Sequence, residues 1–362
     1  MSSTPVSSTP ALPADHPSHR FADSAYLTAC RNEPSSHVPV WFQRQAGRSL
    51  PEYRAIRGEG DILDAIRNPE LAAEITLQPV RRYGVDAAIL FSDIVVPADA
   101  VGFGIEVVPG TGPVVQNPFR SAADLDRLPQ LDPEGHTGYV LDTVRILVGE
   151  LDVPLIGFAG APFTIASYLI EGKPSRDHAM TKALMLEDPK LWHSLMERLA
   201  DIAIASLRSQ VFAGASAIQL FDSWAGALRP VDYREFVAPH SARVFEAVSD
   251  LGVAKAHFGV GTGEILDQMA NAGADVVGVD WRIPINEARR RVGPGVAIQG
   301  NLDPAVCFAS WEVVEAQVRE ILASAEGKAG HIFNLGHGVL PPTNPEILEK
   351  VVELVHREGR SE

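Results

Sequence analysis

Cysteine is nearly absent: Cys30 and Cys307 are the only two in 362 residues. That is too few for a disulfide scaffold or a four-thiolate metal site, and it fits a reducing compartment. Long apolar runs are missing too, none approaching the roughly 18 residues of a membrane-spanning helix. A helical membrane protein is excluded. Positive charge is scarce, with 31 Lys plus Arg against 46 Asp plus Glu and a formal net charge of -15. Such a surface repels polyanions, so general nucleic-acid binding is not expected and any anionic ligand must be held by locally clustered arginines. The first twenty residues, MSSTPVSSTPALPADHPSHR, lack the basic start and apolar stretch of a secretory signal. Rich in Ser, Thr and Pro, they read as a disordered tail. A cytoplasmic protein folded over residues 21–362 is the expectation.

What is present is a regular alternation. Short apolar runs recur from residue 38, each followed by a stretch with helical periodicity: VPVWF at 38, AAILFSD at 87, VPLIGFAG at 153, AIQLFDS at 217, VAKAHFG at 253, DVVGVDW at 275, VAIQGNLD at 296 and HIFNLGHG at 331. Eight strand and helix units in one chain predict a single α/β domain, a (β/α)8 TIM barrel. The early strands are separated by roughly 50 to 65 residues and the later ones by roughly 20 to 35, against ~30 in an average unit. Insertions are therefore expected on the early βα loops. One of them, FGIEVVPGTGPVV, has two β-rich runs around a Pro-Gly-Thr-Gly turn and predicts a hairpin.

Barrel enzymes place reacting groups where strands end. Beyond the first run stand Arg44 and Arg48, with Arg54 and Arg57 close behind. Guanidinium groups clustered at a barrel mouth suit a multiply anionic ligand, and Gly47 permits close backbone approach. The alternative is a set of surface arginines paired with Glu52 and other acids. Asp93 ends the second run and is suited equally to capping a turn and to catalysis. Ser223 could cap a helix, and no G-x-S-x-G elbow surrounds it, which argues against a hydrolase. His337 lies between two glycines, a flexible and exposed setting that suits a site more than a core. Tyr168 is by default an amphipathic helix residue. The glycine-rich stretch Gly259–Glu264 reads as helix entry ahead of phosphate binding. Neither H-E-x-x-H nor a His/Cys cluster with zinc spacing occurs.

Arg44-Gln45-Ala46-Gly47-Arg48 with Leu50-Pro51-Glu52-Tyr53-Arg54 resembles the uroporphyrinogen decarboxylase family. Phe91-Ser92-Asp93, Gly160-Ala161-Pro162-Phe163-Thr164 with Tyr168, Phe221-Asp222-Ser223-Trp224-Ala225-Gly226, Gln299-Gly300-Asn301-Leu302-Asp303-Pro304 and Asn334-Leu335-Gly336-His337-Gly338 are similar to that family's motifs, in its order. The likeness runs from about residue 21 to the C-terminus. It departs at Gln43 and Ser49, where relatives commonly carry methionine and tyrosine.

The resemblance implies conversion of uroporphyrinogen III to coproporphyrinogen III by loss of CO2 from four acetate side chains, with no metal or organic cofactor, in a cytoplasmic homodimeric (β/α)8 barrel. It also implies that Arg44, Gln45, Ala46, Gly47, Arg48 and Arg57 gather the octacarboxylate and that Asp93 faces the pyrrole N–H groups. Tyr168, Ser223 and His337 would orient carboxylates or assist proton delivery. Barrel methyltransferases of similar fold need a His-x-Cys pair for zinc, whereas His257 is followed here by Phe258-Gly259. A non-catalytic tetrapyrrole carrier would have no use for Asp93.

Overall fold

The computed structural model describes residues 12–47, 49–58, 60–108 and 110–360. Nine strands occur among them: β1 (Ala88–Ile89), β2 (Ile105–Val108), β3 (Gly112–Val115), β4 (Leu155–Gly160), β5 (Ala217–Asp222), β6 (Ala254–Gly259), β7 (Val276–Gly278), β8 (Ala297–Gln299) and β9 (His331–Ile332). Seven of them form one curled parallel sheet in the order β1-β4-β5-β6-β7-β8-β9. Helices connect successive strands and cover the sheet, so all six residues of β4 are buried. This is why such strands read as continuous apolar runs rather than alternating ones. Strands β2 and β3 pair antiparallel as a hairpin, Ile105 opposite Val115.

The first apolar run is the exception. It forms no ladder strand, and the sheet is not closed by a continuous ladder. Val40 makes a single parallel bridge to Phe333. Phe333 N–H donates to Pro39 O at 2.8 Å, and Asp86 N–H donates to Val40 O at 2.8 Å. Pro39 has no N–H to offer, so this segment touches both edges of the sheet without extending either. Its side chains are tied inward. Trp41 Nε1–H donates to Gln299 Oε1 at 3.0 Å, and Gln299 Nε2–H donates to Gln219 Oε1 at 3.0 Å. A polar line thus crosses from the first run through β8 to β5 inside the sheet.

Helix entry follows ordinary capping chemistry. The longest helix, Pro189–Ala213, starts on Asp188, whose carboxylate accepts Leu191 N–H at 3.0 Å, and it stops at Gly214. Its inner face supplies Trp192, Leu195, Met196 and Leu199 to the core.

The tail expected over residues 1–20 divides in two. Residues 1–11 lie outside the described residues, whereas Pro17–His19 form a 3-10 turn docked on the fold. His16 Nδ1 caps it by accepting Ser18 N–H, Ser18 is buried, and Arg20 Nη1 donates to Val148 O at 3.1 Å. Gly214 borders it: a Cβ there would come within 2.5 Å of Val148 Cγ2 and 3.3 Å of Pro17 Cβ. Burial outweighs the composition of this stretch. Among the described residues no helix is long and apolar enough to cross a membrane.

Candidate active site

Two sequence-distant motifs build one wall. The chain turns after Phe42, with Gln45 N–H donating to Phe42 O at 3.0 Å. Gln45 Oε1 accepts Phe42 N–H at 2.9 Å while its Nε2–H donates to Ala87 O at 3.0 Å. Gln45 is fully buried, so its side chain is consumed inside the fold. The turn is pinned from the other end of the chain, because Gln43 N–H donates to Asn334 Oδ1 at 3.0 Å and Gln43 O accepts Val339 N–H at 2.9 Å.

This framing holds Arg44 at φ 58°, a left-handed conformation costing a non-glycine residue ~1–2 kcal/mol. Its side chain lies across Gly338, where an added Cβ would come within 2.6 Å of Arg44 Cδ. Gly338 is therefore required by Arg44. At Gly47 a Cβ would meet nothing closer than Arg44 O at 3.5 Å, so internal packing does not explain that glycine. Ala46 and Gly47 are half-exposed.

Asp93 is half-buried just beyond β1. It does cap a turn, Oδ1 accepting Val95 N–H at 3.1 Å, and it lies within electrostatic reach of Arg44. Burial raises its carboxyl above the usual range, opposed by the Val95 and Ile94 N–H groups and by Arg44, with Asp61 adding to the rise. Tyr168, on the helix Pro162–Glu171, is a neighbour of both: burial raises its hydroxyl, the Asp93 charge raises it further and Arg44 lowers it. Its ring lies 4.0 Å from the Trp224 ring, and His178 flanks Trp224 at 4.7 Å. Trp224 N–H in turn meets Thr164 Oγ1 at 3.4 Å, and Thr164 donates to Asp222 at 2.9 Å.

His337 is half-buried rather than exposed. Burial, helped by the Arg44 charge, pushes its pKa down to about 4. The ring is therefore neutral at pH 7. Its Nδ1 accepts Gly338 N–H at 2.7 Å, which leaves Nε2 as the proton-bearing nitrogen.

The remaining sites scatter. Ser223 stands half-exposed beyond β5, and Trp224, not Ser223, enters the 3-10 turn Ala225–Ala227. Arg57 Nη2–H donates to Gly60 O at 2.7 Å, so part of its guanidinium is engaged locally. Arg48 lies outside the described residues. Glu52 is taken by Arg82 at 3.1 Å, which leaves Arg44 without an ion pair among the described residues. The loop at Gly259–Glu264 is a helix entry: Gly261 N–H donates to the Asp280 carboxylate, an acid where a phosphate would have to sit.

Two groups escaped the sequence reading. Asp280 and Arg282 bear on His337 from beyond β7, in opposite senses, yet the DVVGVDW run showed only a strand ending. Trp224 lay inside a recognised motif, but nothing in its spacing marked it as the partner of Tyr168.

A model of the family described as uroporphyrinogen decarboxylase (URO-D) matches residues 22–358. The chain belongs to that family. The uroporphyrinogen decarboxylase of Salinispora tropica is 61% identical over 336 residues, covering 92% of this chain and 90% of that protein. That of Streptomyces coelicolor is 61% identical over 345 residues, 95% of this chain and 97% of its own. Among solved structures, a methyltransferase from Methanosarcina mazei is similar with a TM-score of 0.77 and 22% identity, covering 92% of this chain and 97% of that one. A B12-independent methionine synthase from Shewanella sp. W3-18-1 is similar at 0.56 and 14%, covering 88% and 94%. These two share the fold. Where a methyltransferase reading would need a thiolate after His257, this family member has Phe258 and Gly259, and His257 is fully buried 3.8 Å from Asp222.

Proposed function

We propose that this chain removes CO2 from the four acetate side chains of uroporphyrinogen III, yielding coproporphyrinogen III in heme biosynthesis. Arg44 carries the reading: an arginine without an ion pair, among the described residues, is held in a costly backbone conformation beside a half-buried aspartate. Arg44 and Arg48, with Arg57 where its guanidinium is not already given to Gly60, bind substrate carboxylates in pairs of hydrogen bonds. The substrate supplies its own electron sink, so the reading asks for no cofactor. Protonation of the ring α-carbon next to the carbon bearing the acetate makes the ring cationic, with the charge shared by the acetate-bearing carbon and the ring nitrogen. The bond from the acetate methylene to its carboxylate then breaks, its electron pair enters the ring as an exocyclic double bond, and CO2 leaves. A proton added at the methylene and one lost from the ring carbon leave a methyl group, so each acetate consumes one net proton.

In this mechanism Asp93 faces the pyrrole N–H groups and stabilises the cation, an interaction stronger in the transition state than in the ground state. Tyr168, Ser223 and the neutral His337 orient carboxylates, with His337 Nε2–H as a donor. We further read residues 21–362 as one catalytic domain whose sheet closes into a (β/α)8 barrel through residues 39–41, working as a cytoplasmic homodimer. Support comes from the Phe333 and Asp86 hydrogen bonds to that segment. Anaerobic incubation with uroporphyrinogen tests the activity by counting carboxylates on the porphyrins recovered after oxidation. A four-carboxylate product is expected, and unchanged octacarboxylate would overturn the reading.

A further inference from the structure

The two ends of the fold meet at the N-terminal end of the sheet. Val38 N–H donates to Gly359 O at 2.8 Å, and His37 bridges Arg360. There His37 Nε2 lies 2.8 Å from Asp86 Oδ1, and His356 Nε2, from the helix Pro345–Glu358, lies 2.8 Å from Asp86 Oδ2. The imidazole rings stand edge to face at 4.8 Å. One ligand atom from each residue falls within 4.8 Å of the others. The side chains are 26%, 15% and 32% exposed for His37, Asp86 and His356, so solvent reaches the group.

We propose that His37, Asp86 and His356 form a site for a divalent transition metal of the zinc type, bridging the first run, the approach to β1 and the last helix. Two imidazole nitrogens and one carboxylate are a ligand set that zinc accepts, with a fourth position for water, and one that magnesium and calcium disfavour. Zinc–ligand bonds of ~2.0–2.2 Å set tetrahedral donors about 3.3 Å apart. The two nitrogen–oxygen contacts would open slightly on binding. The outer partners that hold such ligands are in place: Ser36 Oγ lies 3.0 Å from His37 Nδ1, and Val40 N–H donates to Asp86 Oδ2 at 2.7 Å. In the metal-free state each histidine directs an Nε2–H at Asp86, so metal binding at Nε2 moves that proton to Nδ1 in a neutral ring and releases a proton only from a ring that was protonated.

Asp86 and Asp93 lie at opposite ends of the β1 segment, seven residues or about 23 Å apart if extended. The metal therefore acts as a clasp between chain ends and takes no part in decarboxylation.

The test uses tag-free full chain stripped by chelation and dialysis, titrated with Zn2+ alone and then with Co2+. One Zn2+ per chain, a higher thermal midpoint and visible cobalt absorption bands of a four-coordinate nitrogen and oxygen site are expected. His356→Gln keeps a hydrogen-bond donor for Asp86 but cannot replace the imidazole, and it should bind at least ~10²-fold more weakly, beyond the ~10–100-fold of lost outer partners. His37→Gln should behave alike, and serves if the first variant does not fold. Absence of saturable one-to-one binding in the wild type, or unchanged affinity in the folded variants, overturns the site and leaves only a hydrogen-bonded bridge.

Discussion

Asparagine at position 93 would still accept the Val95 N–H, because Asn and Asp are comparable caps. What it removes is the charge within electrostatic reach of Arg44 and Tyr168. Turnover of Asp93→Asn should therefore fall at least ~10²-fold, the scale for one preorganised electrostatic group, with substrate binding much less affected. Near-normal turnover in a folded Asp93→Asn protein would reduce the residue to a cap. Arg44 offers a second test through its neighbour. Arg44→Gln should weaken transition-state binding by roughly 2–5 kcal/mol, the cost of leaving a desolvated charge unpaired. Gly338→Ala forces the Arg44 side chain aside, so it should lower kcat/KM in the same direction without unfolding the protein. Residues acting through one guanidinium are non-additive, and the double variant should be little worse than Arg44→Gln alone. Additive losses in that cycle would mean that Gly338 serves something other than Arg44.

At the level of elements, seven of the eight apolar runs occupy ladder strands, because strands buried on both faces leave an uninterrupted hydrophobic signature. The first run carries the same signature, but Pro39 withholds a donor and leaves bridge-level contacts, a distinction hydrophobicity does not record. The strand-end rule brought Arg44, Asp93, Tyr168 and His337 to attention. It could not show that Gln45 turns inward, since that depends on the Phe42 and Ala87 backbone groups it satisfies. Nor could spacing join His37 to His356, which only the meeting of chain ends brings together. Composition likewise misjudged residues 12–20. Deleting residues 2–20 removes the buried Ser18 and the Arg20 bond to Val148, so it should lower the thermal midpoint by a few degrees, at about 2–4 °C per kcal/mol for domains of 150–250 residues and less for longer chains. Deleting residues 2–11 spares that turn and should leave the midpoint higher than the longer deletion does. Equal midpoints for the two truncations would show that the docked turn contributes nothing.

Over the whole molecule, buried neutral histidines set the response to acid. His240, His331 and His337 lie in different parts of the fold, and burial pushes each pKa down to about 4. An unfolded histidine titrates near 6.5, so between pH 6.5 and 4 the unfolded chain binds protons that the folded chain refuses. The stability these imidazoles contribute therefore falls as pH drops through that window and levels off below it. His37 works in the opposite sense. The Asp86 hydrogen bond raises its pKa, so its stabilising contribution is fully present below 6.5 and is lost as pH rises through the folded value. Burial lowers His178 as well, so four depressed imidazoles outweigh this single raised one, and the sum should make the protein acid-labile. His331 isolates the effect, being almost fully buried with Nε2–H donating to Gly300 O at 3.1 Å. Glutamine can keep a donor there without titrating. From pH 7 to pH 5 the wild type should lose about 1–2 kcal/mol of urea-unfolding free energy through His331 alone, and His331→Gln should lose that much less over the same interval. The comparison is of slopes, so a lower starting stability of the variant does not disturb it. Identical pH slopes in the two proteins would mean that His331 titrates normally and that the fold tolerates a charge at the start of β9.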